Sequence, residues 1–181
     1  MALSTPIRSG RPLTHVDLEE LPDNGNVYEL SYGALVVTPW ASTRHQAIAT
    51  AMAAFLHTRR PRSKRVLVEA QWMGQPDLVK QPDVQVVDDN LVGGPRIVGT
   101  PDLVVEIHSP STKVLDLTEK RYVYAQAGIP SYWMVDPVSS TLTVLELREG
   151  AYVDVAVVGA DGSFDVSIPF PMTIEGAAIF E

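Results

Sequence analysis

The chain has 181 residues, with 45% hydrophobic and 20% charged side chains, no cysteine, and a formal net charge of −8. These figures exclude disulfides, cysteine-based zinc sites and thiol chemistry, argue against disorder, and favour one folded domain that buries roughly 70% of its unfolded surface. The longest apolar stretch, Ala47 to Leu56, is interrupted by Thr50 and is too short to span a bilayer. The N-terminal MALSTPIRSGRP lacks the apolar core of a secretory signal, so a cytoplasmic, soluble protein is the expectation.

Residues 1–13 read as a tail and 14–181 as a single domain. Thr14 can cap a short helix over Val16 to Leu21, which Pro22-Asp23-Asn24-Gly25 stops. Tyr28-Glu29-Leu30, a turn at Ser31-Tyr32-Gly33 and Ala34 to Val37 predict a β-hairpin. Ser42 then caps a helix whose Ile48, Met52 and Phe55 form one apolar stripe. That helix ends in a basic stretch, where Pro61 prevents its continuation. Strand patterns follow over Arg65 to Trp72, Asp83 to Val87 and Leu103 to His108. A helix from Lys113 to Ala127 is closed by Gly128 as a left-handed cap. Tyr132 to Val135 is another strand, Thr141 to Leu147 and Tyr152 to Val158 form a hairpin, and Phe164 to Ile174 reads as edge strand or loop. The order β-α-β-β-α-β with added hairpins predicts an α/β or α+β domain on a mixed sheet.

Charge is unevenly distributed. Five of the 14 basic residues, Arg59, Arg60, Arg62, Lys64 and Arg65, lie in one stretch, against 22 acidic residues overall. An acidic chain argues against broad nucleic-acid binding. The basic stretch is either a solvated helix end or a local contact for a polyanion.

The segment from Pro101 to His108 holds the most chemistry. Alternation along a strand places Leu103, Val105 and Ile107 on one face and Asp102, Val104, Glu106 and His108 on the other. A carboxylate between valines in a core strand is costly unless it is paired or binds a metal. Pro82-Asp83-Val84 repeats the pattern one strand earlier, so the carboxylates of Asp83 and Glu106 converge if the two strands are neighbours. A hard cation would relieve their repulsion; Mg²⁺ typically takes one or two carboxylates plus water and phosphate oxygens. A lone Asp after Pro is more simply a turn residue, but two Pro-Asp strand starts with a mid-strand Glu favour a site. Asp116, Lys120 and Tyr124 fall on one helical stripe. Lys120 is then either a surface partner of Asp116 or a cation that reaches the carboxylates. His45, on the apolar stripe, reads as a hydrogen-bonded core histidine rather than a ligand. Asp102 reads as a turn residue in preference to a supporting acid, Asp88-Asp89 as solvated, and Tyr132-Trp133 as core aromatics. No Gly-rich phosphate loop and no Gly-x-Ser-x-Gly elbow occur, which argues against nucleotide hydrolases and esterases.

Pro82-Asp83-Val84, the run from Thr100 to Thr112 around Glu106, then Asp116, Lys120, Tyr124 and the run from Gly128 to Pro137 together resemble the Uma-two family. These are restriction-endonuclease-like proteins of the PD-(D/E)XK nuclease superfamily. Tyr28-Glu29-Leu30 with Gly33, and the helix carrying His45, resemble it too, so the likeness spans residues 14 to 158. It implies a mixed central sheet flanked by helices, and a Mg²⁺- or Mn²⁺-dependent endonuclease that hydrolyses phosphodiester bonds in DNA. It further implies Asp83 and Glu106 as metal ligands, Glu29 as an additional carboxylate and Lys120 as the basic member. Cleavage of both strands by one site per chain would favour a homodimer. The sequence departs from the superfamily at one position: the basic residue expected two places after the acid is His108, whose ordinary pKa is near 6.5 against about 10.4 for Lys. The alternative is therefore a nuclease-fold module that binds nucleic acid or a protein partner with little or no catalysis.

Overall fold

A computed structural model of the chain describes residues 10–39, 41–109 and 116–180, with the backbone alone at Asp116 and Leu117. The first helix, α1 (His15–Glu19), is short, and Asp17 reaches back from it to accept from the backbone N–H of Thr14 at 2.7 Å. The hairpin β1 (Val27–Ser31) and β2 (Ala34–Thr38) follows, pairing Glu29 with Val36. Its turn has Gly33 at φ +81°, where a Cβ would lie 2.4 Å from Pro12, so both conformation and space select glycine. Leu13, the last residue of the sequence-assigned tail, is buried in a small cluster with Leu18, Leu30 and Val79.

The long helix α2 (Thr43–Arg59) begins at Ser42, whose Oγ accepts from the backbone N–H of His45 at 3.3 Å. Its Ile48, Met52 and Phe55 enter the main core as the stripe required. The β-rich stretch from Arg65 to Trp72 is two strands rather than one, β3 (Lys64–Val68) and β4 (Trp72–Gln75). Glu69 at φ +50° turns the chain between them and sends them to different sheets. The strands β5 (Leu78–Lys80), β6 (Val84–Asp88), β7 (Ile97–Val98) and β8 (Leu103–Ile107) follow. Residues Asp116–Lys120 form a π-helical turn that runs into α3 (Arg121–Gln126), where the sequence predicts continuous α-helix. Gly128 at φ +73° closes it as expected. The chain ends with β9 (Ser131–Asp136), the hairpin β10 (Thr141–Arg148) and β11 (Ala151–Gly159), a second hairpin β12 (Ser163–Val166) and β13 (Met172–Glu175), and α4 (Ala177–Phe180).

Six strands form the large sheet in the order β11-β10-β9-β8-β6-β3, with only β8 and β9 parallel. A second sheet has the order β2-β1-β5-β4-β7. One face of the large sheet, including Leu103, Val105 and Ile107, packs on α2 and α4. The other, with Val104, Tyr132 and Met134, meets α3 and Trp72, Leu78 and Ile97 of the second sheet. Coverage of both faces explains why β8 reads as an almost unbroken apolar run, and why Glu106 within it needs a partner.

Candidate active site

The site forms where the chain passes from one sheet to the other. After β5, residues Gln81-Pro82-Asp83 cross to the large sheet and enter β6. Two of the contacts that hold the crossing reach from β1 and β8. The backbone N–H of Gln81 donates to Glu29 Oε1 on β1 at 2.7 Å, and the backbone N–H of Ile107 on β8 donates to Asp83 Oδ2 at 2.6 Å. The β6–β8 register pairs Val84 with Val105, and its continuation sets Asp83 across from Glu106. Glu29, as expected of it, sits on the hairpin.

Glu106 is 3% exposed, and both of its oxygens are engaged. Lys120 Nζ lies 2.9 Å from Oε2, and the Tyr124 hydroxyl donates to Oε1 at 2.6 Å. Lys120 Nζ also lies 3.8 Å from Glu29 Oε1. Lys120 and Tyr124, one helical turn apart, thus straddle a single carboxylate. Burial, then the charge of Glu106, pushes the Tyr124 phenol well above its ordinary value of 10, so it stays a donor. The turn that carries Lys120 is tied down by its neighbour. Glu119 lies 2.9 Å from Nζ of Lys80, a β5 lysine only 1% exposed that also donates to Ser31 Oγ.

Glu29, Asp83, Glu106 and Lys120 all line one cleft of about 570 Å³, together with His45 and His108. His45 Nε2 is 3.2 Å from Asp83 Oδ2. Its burial lowers the imidazole pKa, but the hydrogen bond and charge of Asp83 outweigh this and leave it above 6.5. His45 is therefore a buried, hydrogen-bonded histidine as the sequence suggests, yet its partner belongs to the cleft. Tyr124 was legible only as a member of the Lys120 stripe, one turn beyond the lysine. For His45 the sequence carried the capping serine three residues earlier and the apolar stripe, but no signal of its partner acid.

The donors suit a hard cation, since carboxylate oxygens are what Mg²⁺ and Mn²⁺ select. Among the described residues, no three His, Asp or Glu side chains group closely enough to hold a metal. A site built on two carboxylates and completed by water and phosphate oxygens is the arrangement Mg²⁺ commonly adopts.

The basic stretch occupies a different place. It lies beyond the C-terminal end of α2, a 17-residue helix about 25 Å long, whereas the cleft is at its N-terminal end. Lys64 pairs with Asp88 at 2.7 Å and with Asp102 at 2.8 Å, Arg65 with Asp89 at 2.7 Å, and Arg59 with Glu175 at 3.5 Å. Asp88 and Asp89 are thus paired at the surface rather than merely solvated, and Asp102 holds Lys64 instead of serving the cleft. Tyr132 and Trp133 are fully buried core aromatics, as read. Residues 110–115, which include the expected helix start at Lys113, lie outside the described residues.

The chain is thus an α+β domain, with a mixed sheet flanked by helices and acids and a lysine brought into one cleft. Residues 16–178 match the Uma2 family, described as "Putative restriction endonuclease", and the chain belongs to that family. The fold is also that of a protein from Anabaena variabilis ATCC 29413, described as a putative nuclease belonging to DUF820. That crystal structure superposes with a TM-score of 0.74 at 19% sequence identity, over 93% of this chain and 98% of the other. Among curated proteins, none matches this chain.

Proposed function

We propose that this protein is a metal-dependent endonuclease that hydrolyses phosphodiester bonds in DNA, with Mg²⁺ or Mn²⁺ held by Asp83 and Glu106. What supports this reading is that Asp83, just before β6, and Glu106 of the neighbouring β8 line one cleft, in which Lys120 lies 2.9 Å from Glu106. A divalent cation bound there would supply Lewis-acid polarisation of the scissile phosphate. Lys120 would offset charge that develops on the phosphate or hold the attacking water. Glu29, fixed by the Gln81 N–H and facing Lys120, would orient that water. Substrate would approach along the cleft rather than the distant basic stretch. Cutting both strands of a duplex with one such site per chain would call for a homodimer.

Incubation of plasmid and single-stranded DNA with Mn²⁺ tests the reading. The wild type should cut, and Asp83→Ala and Glu106→Ala should not; cleavage that survives both substitutions would overturn the mechanism. A chain that binds the same DNA without cutting it would be a nuclease-fold binding module, the reading that His108 at the position of the superfamily lysine favours.

A further inference from the structure

We infer that His45 is a positioning residue that sets which oxygen of Asp83 is offered to the cation, an inference that rests on the metal site proposed above. Two donors converge on the carboxylate of Asp83, and both reach the same atom. The Ile107 backbone N–H meets Oδ2 at 2.6 Å, and His45 Nε2 meets it at 3.2 Å from the opposite element, α2. Two donors on one oxygen fix the rotation of the carboxyl group and turn Oδ1 toward the remaining side. There a cation would meet a single, oriented oxygen rather than a freely rotating pair.

Each donor is itself held in place. The N–H of Ile107 points toward the β6 edge, because the next residue, His108, donates its N–H to Val135 on the other side of β8. The β6–β8 ladder runs only from Val84 to Val86 on one strand and Val105 to Leu103 on the other, so the Asp83 side chain takes the place of a ladder acceptor beyond its end. His45 is fixed through its own backbone, whose N–H donates to the capping Ser42 at 3.3 Å, and through burial of its ring, with a side chain 10% exposed. The Ser42 cap thus sets the start of α2, and the start of α2 sets the distance from His45 to Asp83. Groups that orient a ligand in this way are worth about 10–100-fold in metal affinity.

Calorimetric titration of Mn²⁺ into the full chain separates this role from a structural one. The set is wild type, Glu106→Ala, His45→Ala and His45→Gln, with thermal melts run alongside. Glutamine places an amide nitrogen where His45 holds Nε2, so it keeps the donor without an imidazole. Expected are Mn²⁺ binding by the wild type, its loss in Glu106→Ala, affinity about 10–100-fold weaker in His45→Ala, and recovery of most of that loss in His45→Gln. Should His45→Ala fail to fold, His45→Leu, which keeps bulk without a donor, takes its place, with the same expected loss of about 10–100-fold and the same overturning result of unchanged affinity. Equal affinity in wild type and a folded His45→Ala would overturn the positioning role and leave the metal site standing. Affinity in His45→Gln as low as in His45→Ala would overturn it too. A wild type that binds no Mn²⁺ would overturn the metal site itself, and the inference with it.

Discussion

The two ends of α2 carry charge in opposite ways. At the C-terminal end, Arg59 and Arg65 meet Glu175 and Asp89 in the open, and each of these acids is more than half exposed. At the N-terminal end, Glu29, Glu106 and Lys120 are 4%, 3% and 5% exposed, and Asp83 is held by donors on both sides. Exposed pairs are screened by water and contribute little, whereas a buried carboxylate whose partner is removed faces the full cost of desolvation. The denser cluster of basic residues is therefore the less informative one. Charged side chains held in the interior, against their solvation cost, are what make the N-terminal end the candidate site.

The largest expected effect comes from breaking the buried pair. Lys120→Met removes the cation beside the buried Glu106 and should cost about 3–5 kcal/mol in urea unfolding. Lys120→Met combined with Glu106→Gln should recover much of that loss, because neither charge then remains. A double variant no more stable than Lys120→Met would mean the two side chains are not energetically coupled. Next comes Tyr124→Phe, which removes one hydrogen bond to a charged acceptor and should cost about 1.5–3 kcal/mol. Unchanged urea unfolding in that variant would show the phenol to be dispensable to Glu106.

The legible and hidden parts of the molecule divide along similar lines. The Leu103–Ile107 strand, the α2 stripe and the Gly128 cap were readable because local periodicity and backbone preference act within a few residues. Asp83, Glu106 and Lys120 could be brought together on paper because two Pro-Asp strand starts and one helical turn limit where their side chains can point. Beyond its β1–β2 hairpin, the second sheet was not readable. Its β5 has only three residues, and the turn at Glu69 that sends β4 away from β3 depends on a positive φ in a residue that carries no such signal. The Lys80–Glu119 tie joins positions far apart in sequence and emerges only once that sheet exists. His45 was placed correctly in burial, but no pattern in α2 could reveal that the acid it holds comes from β6. The basic stretch stayed ambiguous for the converse reason: sequence shows where cations cluster, but not that Asp88, Asp89, Asp102 and Glu175 lie beside them.

Smaller effects sharpen the contrast from the exposed end. Arg65→Ala should change stability by only about 0.2–1 kcal/mol, and by less at 1 M salt than at low salt. A loss comparable to that of Lys120→Met would erase the distinction between the two ends. The smallest effect concerns Asp17, whose carboxyl is drawn down from 3.8 to about 2 by hydrogen bonds from Arg11 and the Thr14 backbone. A folded pKa below the unfolded one means the stabilisation is present above pH 3.8 and is lost as the pH falls through about 2. Melts from pH 5 to 2 should therefore fall slightly less steeply for Asp17→Asn than for wild type, and identical slopes would show that the contact is not maintained in solution.

The central claim, that Asp83 at the entry to β6 and Glu106 of β8 share one divalent ion, is tested most directly by crystals grown with Mn²⁺ and measured for anomalous scattering. A peak in contact with both Asp83 and Glu106, and absent from Glu106→Ala crystals, is the expected result. A cleft without a peak at saturating Mn²⁺, with Glu106 still shared between Lys120 and Tyr124, would contradict it.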